Sequence, residues 1–213
     1  MTDPNWLLWA RELHALAQIG LTYAEETSFD RLRYERVLEI AAEIMTNAGG
    51  LDAPTILDLY DKERPNGYLT PKSDVRAFVF DAQERILLVR EVADGRWSPP
   101  GGWADVNESA STVATRECWE EAGVKVRAVK LVALLDRSEQ GHTPPFPFHV
   151  YKSYFLCEMV DANAIPRGSN ETSDVGFFAE DALPPLSMGR ILPSQIAMAY
   201  RHLRNPGLPT EFD

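Results

Sequence analysis

Three glutamates spaced to share one side of a predicted helix are the residues of this sequence best suited to chemistry. Glu117, Glu120 and Glu121 lie in a run that is typical of a helix over residues 109–122. At about 100° per residue, the three carboxylates occupy an arc of about 100°. The same arc also carries apolar residues, namely Ala110, Val113 and Ala114. The acids therefore lie on the side of the helix that should face the core.

Burying unpaired carboxylates costs on the order of several kcal/mol each, so we expect positive charge beside them. Divalent cations held by oxygen ligands meet this need. The alternative is a solvated acidic face, which the apolar residues on the same arc disfavour. Arg116 lies next to Glu120 on the helix surface and is expected to orient a carboxylate by a charge-assisted hydrogen bond; as an exposed ion pair it would contribute about 0–1 kcal/mol.

The segment before the helix is rich in glycine and proline. Gly101 and Gly102 permit backbone conformations closed to other residues and allow close approach of a carbonyl or a phosphate. Ser109 is predicted to cap the helix, and Gly123 to end it in the left-handed conformation. The loop and the helix together are therefore expected to hold the carboxylates in place.

The segment from Gly102 to Val124 resembles the signature of the Nudix hydrolases, G-x5-E-x7-R-E-U-x-E-E-x-G-U, in which U is a bulky aliphatic residue. The matching positions are Gly102, Glu108, Arg116, Glu117, Glu120, Glu121, Gly123 and Val124. Cys118 departs from the pattern at a U position, and cysteine packs there as a small hydrophobe. Pro99 stands where leucine is usual in this family.

The resemblance implies a catalytic set and a cofactor. Glu117, Glu120 and Glu121 would bind Mg²⁺ or Mn²⁺, the Gly101 carbonyl would join the metal shell, and Arg116 would support them. The reaction would be metal-dependent hydrolysis of a diphosphate by water. Some members use a general base outside the signature; Glu171 holds that place here, with Asp174 nearby, while a base within the signature stays an alternative.

Other phrases resemble a bacterial branch of the family that carries a helical N-terminal prefix. They include DVRAFVF, ALLDR, PPFPFHVYK and LPPLSMGR, and they are most similar to CDP-choline pyrophosphatases. The implied reaction converts CDP-choline to CMP and phosphocholine, with ADP-ribose, split to AMP and ribose 5-phosphate, as the alternative substrate. A nucleotide-binding regulator is the alternative from another class. Its DNA-binding part would have to be residues 1–65, whose six basic and twelve acidic side chains disfavour binding to phosphates.

Substrate contacts are expected from charged or aromatic residues of the strands and their loops. Arg76 and Arg90 lie in predicted strands, where a charge is unusual unless it faces solvent or a phosphate. Arg137 opens a loop after a strand, and His149 and Tyr151 offer hydrogen bonds or a ring surface for a base or ribose. Ordinary packing or solvation is an equally good interpretation of each residue.

The chain is expected to divide at residue 65. Residues 1–65 are predicted to be a helical dimerisation domain, whose first helix has Asp3 as its N-cap and Pro4 at its first position. Residues 66–213 are predicted to form the catalytic α/β domain, an α/β/α sandwich with a mixed sheet, as the family resemblance implies. Two amphipathic helices cannot bury much apolar surface between themselves, so their apolar faces need either the rest of the chain or a second copy as a partner. A homodimer is the favoured hypothesis, and helices that close over the substrate are the alternative.

Composition narrows the possible partners. The net charge is -11, and the absence of a basic cluster disfavours binding to DNA. No apolar run approaches the length of about 20 residues that spans a membrane, and no secretory signal is expected at the N-terminus. Cys118 and Cys157 are interpreted as free buried thiols, which fits the cytoplasm.

Overall fold

A computed structural model describes residues 3–26, 28–49, 52–62, 69–170 and 172–213 of the 213-residue chain. Contacts divide the chain into two compact units. The first comprises the residues up to Pro71 together with Pro145–His149, and the second comprises Lys72–Pro144 and Val150–Asp213. The first unit therefore includes a short segment from the second half of the sequence. The predicted boundary at residue 65 falls outside the described residues.

The first unit is helical. Its elements are α1 (Asn5–Tyr23), α2 (Phe29–Gly49) and α3 (Ala53–Lys62). Their apolar faces, joined by one residue of the returning segment, form a core of Leu7, Ala10, Ala41, Ala42, Met45, Ile56, Tyr60 and Phe148. His14 stacks on Tyr60 with ring centroids 3.6 Å apart. The predicted helices are present, and Phe148 packs within the helical unit.

The start of α1 differs from the prediction. Pro4, not Asp3, occupies the N-cap position, and no side chain caps the helix. Asp3 is buried and pairs with Arg11 at 2.9 Å. Arg11 also donates to the Phe146 carbonyl. The acidic side chain therefore pairs with a buried arginine nearly two turns into the helix, because an ion pair there satisfies both charges.

Among its described residues, the second unit contains two sheets and three helices. Its elements in chain order are β1 (Lys72–Val79), β2 (Ile86–Glu91), β3 (Trp97–Ser98), β4 (Gly101–Trp103), α4 (Ala110–Ala122), β5 (Val126–Asp136), α5 (Arg137–Gln140), β6 (Val150–Met159), β7 (Thr172–Phe178), α6 (Pro193–Arg204) and β8 (Glu211–Phe212). One sheet has the order β4-β1-β6-β5-β8 and the other β3-β2-β7. β1 and β6 run parallel, whereas β1 and β4 run antiparallel, so the larger sheet is mixed.

Alternate residues of β1 face two different cores, as expected for a strand that is covered on both sides. Val75 and Val79 pack with α4, whereas Phe78 packs in the core that contains the apolar residues of α6. The predicted sandwich, with helices on both faces of a mixed sheet, is confirmed. Asp74 and Arg76 lie on the Phe78 side of the strand, where alternation would favour apolar residues.

The predicted caps of α4 are present. The Ser109 side chain accepts from the Thr112 N–H, and Gly123 adopts the left-handed conformation at φ 66°. The short strands β3 and β4 lie in the stretch rich in glycine and proline that precedes α4. Cys118 and Cys157 are free and buried, as predicted. None of the helices among the described residues is long and apolar enough to cross a membrane.

Candidate active site

Strand β4 and helix α4 bring the glycine-rich loop against the acidic helix. The Gly101 N–H donates to Oε2 of Glu121 at 2.9 Å. The far side of Glu121 is also anchored, because the Thr172 hydroxyl at the start of β7 donates to its carbonyl at 2.8 Å. Gly101 has φ +150°, and a Cβ there would lie 2.0 Å from the Val75 carbonyl oxygen. Only glycine fits this approach of β4 to β1.

Gly102 leaves space for the carboxylate of Glu117. A Cβ at this position would lie 2.9 Å from Oε1 of Glu117, so the missing side chain leaves the space that the carboxylate occupies. Glu117 is 9% exposed and Glu121 is 7% exposed. The two consecutive glycines therefore each face one buried glutamate, and the predicted inward orientation applies to these two acids.

Glu120 takes a different position. Its side chain is 53% exposed, and it pairs with Nη1 of Arg116 at 2.8 Å. The same Nη1 lies 3.0 Å from Oε1 of Glu117, while Nε and Nη2 of Arg116 donate to Glu108. Arg116 thus binds three carboxylates. Its contact with Glu120 is the one that its position predicted, and its orienting role stays a prediction. Among the described residues, no three acidic, histidine or cysteine side chains converge as a ready metal cluster.

The electrostatics of the two buried acids fit a cation. Burial raises the pKa of Glu121 to about 7 and also raises the pKa of Glu117. A nearby positive charge stabilises the ionised form of such a buried carboxylate, since ionisation in a low dielectric is otherwise unfavourable. Carboxylate oxygens backed by a backbone carbonyl are the donor set that Mg²⁺ and Mn²⁺ prefer. The residues present therefore fit the metal that the family implies.

A buried ion network lies behind the glycine loop. Arg76 is 4% exposed, and its Nε and Nη2 donate to the two oxygens of Asp74 at 3.0 and 2.8 Å. Lys152 of β6 donates to Asp74 at 2.6 Å from the other side. Although burial opposes it, the charges of Arg76 and Lys152 lower the pKa of Asp74. Burial raises the pKa of Glu121, and the positive charge of Arg76 only partly offsets that effect.

The other predicted substrate contacts occupy varied positions. Arg90 is exposed, and its Nε donates to the Gly95 carbonyl at 2.9 Å. Arg137 is buried at the start of α5, and its Nη2 donates to the Pro144 carbonyl at 2.8 Å. Tyr151 in β6 is 44% exposed. His149 is half-buried in the segment that belongs to the helical unit. Their contact with substrate stays a prediction.

Glu171, the predicted external base, lies outside the described residues. Asp174 follows in β7, where it is exposed and opposite Arg90. Its carboxylate accepts from the N–H of Val175 at 2.8 Å. The choice between a base in the signature and one outside it therefore stays open.

Three functional candidates lay beyond the sequence reasoning: Asp74, Lys152 and Glu91. Glu91 is buried at the end of β2, where it accepts from the Ser98 hydroxyl at 2.6 Å and lies 3.2 Å from Nε of Arg190. A signal for Asp74 was present, since Asp74 and Arg76 stand two residues apart in a strand whose other residues from Val75 onward are apolar. That spacing puts both charges on one face, which indicates a buried pair.

Comparison with known proteins is consistent with this geometry. The NUDIX domain family matches residues 70–197, and a family described as "UDP-X-like, N-terminal oligomerisation domain" matches residues 4–64. A Bacillus subtilis (strain 168) protein named "Putative ADP-ribose pyrophosphatase YjhB" is 40% identical over 209 residues, covering 98% of this chain and 97% of that protein.

Two solved structures are similar as well. An ADP-ribose pyrophosphatase from Streptococcus suis 89-1591 superposes with a TM-score of 0.60 at 38% identity, covering 68% of this chain and 100% of that one. A UDP-X diphosphatase superposes with a TM-score of 0.60 at 28% identity and covers 100% of both chains. With its signature glutamates set against a double-glycine loop, this chain belongs to the Nudix family and is a Nudix pyrophosphohydrolase.

Proposed function

We propose that this enzyme hydrolyses the diphosphate bond of a nucleoside diphosphate linked to a second moiety, with ADP-ribose as its first substrate. The observation that supports the reaction is the pairing of two buried glutamates with two consecutive glycines. Water adds across the P–O–P bridge and leaves two phosphate monoesters, so ADP-ribose gives AMP and ribose 5-phosphate.

Different residues of the site would bind the metal and orient its ligands. Glu117, Glu121 and the Gly101 carbonyl would hold the cation, with Glu120 able to join from its exposed position. A bound Mg²⁺ or Mn²⁺ would supply Lewis acidity toward the diphosphate oxygens and the attacking water. Arg116 orients the glutamates through its contacts with Glu117 and Glu120. Without the cation, burial raises the pKa of Glu121 to about 7, so this carboxylate gains from binding the metal. The base that accepts the proton of the attacking water stays a prediction.

ADP-ribose is the first candidate substrate because two of the similar proteins are named for its hydrolysis. One named for this activity spans almost the whole chain at 40% identity, and a solved structure so named is 38% identical. CDP-choline is the second candidate, since several phrases outside the signature resemble CDP-choline pyrophosphatases. UDP conjugates belong in the same comparison, because a UDP-X diphosphatase covers the full chain.

A product assay tests the proposal. The purified chain is incubated with ADP-ribose, CDP-choline, CDP-ethanolamine and a UDP-sugar, with Mg²⁺, with Mn²⁺ and with EDTA, and products are identified by mass spectrometry. We expect AMP and ribose 5-phosphate from ADP-ribose only when a metal is present. ¹⁸O-labelled water then shows which phosphorus is attacked. A higher kcat/KM for CDP-choline would put that substrate first, and no turnover of any conjugate would refute the proposed reaction.

Matched variants assign the activity to the site. Glu121→Gln removes a buried carboxylate beside Gly101, whereas Glu158→Gln removes an exposed one that pairs with Arg127. We expect the first change to lower kcat at least about 100-fold and the second to leave it unchanged. Equal activity of the two variants would contradict the assignment of the site.

We also propose that the helical unit forms a homodimer. Trp9, Leu16 and Tyr23 follow one another at seven-residue spacing on α1 and are 58%, 54% and 68% exposed. An aligned row of large apolar side chains on a helix surface is typical of an interface. The family that matches residues 4–64 is described as an oligomerisation domain, which supports a second copy as the partner.

The cytoplasm is the compartment that we propose for the enzyme. Cys118 and Cys157 are free thiols, and burial raises the pKa of Cys157 to about 12. Such thiols are unreactive and are typical of a reducing environment. Localisation of the tagged chain in cell fractions checks this assignment.

A further inference from the structure

The buried arginine behind the metal site is held by one carboxylate while lying near another. Asp74 accepts two charge-assisted hydrogen bonds from the Arg76 guanidinium and one from Lys152. The remaining nitrogen of Arg76, Nη1, has only a 3.4 Å contact with the Pro99 carbonyl and lies 4.0 Å from Glu91. Two of the three hydrogen bonds that the Arg76 side chain makes among the described residues are therefore to Asp74.

Arg76 lies close to the proposed metal ligands. A Cβ on Gly101 would lie 2.9 Å from Cδ of Arg76, and the N–H of the same Gly101 binds Glu121. The positive charge of Arg76 acts on the carboxylates of Glu121 and Glu91. Glu91 is already occupied by the Ser98 hydroxyl and by Arg190. The Glu121 carboxylate accepts one hydrogen bond, from Gly101, and no ion pair to it is present among the described residues. We therefore take Glu121 as the acid with which a released Arg76 would pair.

Such a pair would compete with the cation, because an arginine and a divalent ion cannot both neutralise one buried carboxylate at full strength. We propose that Asp74 is a positioning residue that keeps the Arg76 guanidinium away from Glu121 and so leaves that carboxylate available to the metal. Lys152 holds Asp74 from the neighbouring strand β6 through a hydrogen bond of 2.6 Å. This inference rests on the proposed function, since it concerns the same metal site.

The test measures Mn²⁺ binding to the full chain by electron paramagnetic resonance of the free ion, without substrate. Asp74→Asn keeps the shape of the side chain but removes its charge, and we expect the dissociation constant for Mn²⁺ to rise about tenfold or more. Adding Arg76→Met to that variant removes the competing arginine. The double variant is expected to bind Mn²⁺ as tightly as the unchanged protein.

Several outcomes would overturn the inference. Unchanged Mn²⁺ binding in Asp74→Asn would do so, as would a double variant that binds as weakly as Asp74→Asn. Should Asp74→Asn fail to fold by circular dichroism, Arg76→Met alone decides, because Lys152 still pairs with Asp74 there. If Arg76→Met binds Mn²⁺ no more weakly than the unchanged protein, the result supports Arg76 as a residue that competes with the metal when Asp74 does not hold it. If Arg76→Met binds Mn²⁺ about tenfold more weakly, Arg76 supports metal binding and the proposed role of Asp74 is refuted.

The control separates this inference from the proposed function. Glu121→Gln is expected to lose Mn²⁺ binding at the site. If the unchanged protein binds no Mn²⁺, or if Glu121→Gln binds it equally well, both the metal site and this inference fail. If Glu121→Gln loses binding while Asp74→Asn retains it, only the role of Asp74 is refuted.

Discussion

Gly101 and Glu121 are joined by a hydrogen bond from the backbone N–H of the glycine to Oε2 of the glutamate, 2.9 Å long. The bond connects strand β4 to the last turn of α4. It orients a buried carboxylate beside the loop whose carbonyl we expect to bind the same cation. The position of Glu121 is therefore determined by the backbone of the loop as well as by its own helix.

Replacing Gly101 with alanine is expected to destabilise the protein and abolish turnover. The new Cβ would meet the Val75 carbonyl oxygen at 2.0 Å and would adopt φ +150°, which L-residues rarely do. We expect the free energy of unfolding in urea to fall by at least about 2 kcal/mol. Gly207→Ala is the control, because a Cβ there meets nothing within 4 Å. Equal stability of both variants would contradict this account of the loop.

Replacing Arg116 with lysine is expected to impair catalysis more than folding. The guanidinium contacts Glu108, Glu117 and Glu120 at once, which an ammonium cannot reproduce. We expect kcat/KM to fall at least about tenfold, with little change in Tm. Arg127→Lys, in an exposed pair with Glu158, should leave both unchanged. The orienting role would be refuted by an Arg116→Lys variant of full activity.

The metal-free protein should lose stability as the pH rises through the titration of Glu121. Burial raises the folded-state pKa from 4.5 to about 7, so the folded state binds more protons than the unfolded state between these values. The free energy of unfolding therefore falls from about pH 4.5 to pH 7 and levels off above. Urea denaturation of the protein and of Glu121→Gln, at matched pH values in EDTA, isolates this contribution, which the variant lacks.

Metal should reverse that loss. Millimolar Mg²⁺ at pH 8 is expected to raise the Tm of the unchanged protein, because a ligand that binds only the folded state stabilises it. The Tm of Glu121→Gln should respond weakly or not at all. A similar rise of Tm in both proteins would mean that Mg²⁺ binds elsewhere. In the urea experiment, a free energy of unfolding that does not change with pH relative to Glu121→Gln would mean that burial does not raise the pKa of Glu121.

Leu16→Glu is expected to convert a dimer to monomers. The change puts a charge in the middle of the exposed apolar row on α1, where a second copy would have to bury it. Light scattering at micromolar concentration measures the mass. Val160→Glu changes a more exposed apolar residue of the other unit, 70% against 54% for Leu16, and should leave the mass unchanged. A monomeric mass for the unchanged protein would exclude the dimer.

The local chemistry of the site could be derived from the sequence by itself. Helical periodicity placed Glu117 and Glu121 toward the core, and the cap residues Ser109 and Gly123 defined the ends of α4. These features depend on residues within about one or two turns of one another, so their spacing carries the information. The signature also established the reaction class, because its residue types and intervals are specific.

Contacts between distant segments were decided by the tertiary structure. Lys152 reaches Asp74 from a strand 78 residues away, and Phe148 packs among helices that lie far earlier in the chain. Glu120 shares the arc of the other two glutamates, yet Arg116 and solvent hold it outward. Periodicity states which residues share a side of an element, but it cannot state which neighbour covers that side, because strand order and register arise from the packing of the whole chain.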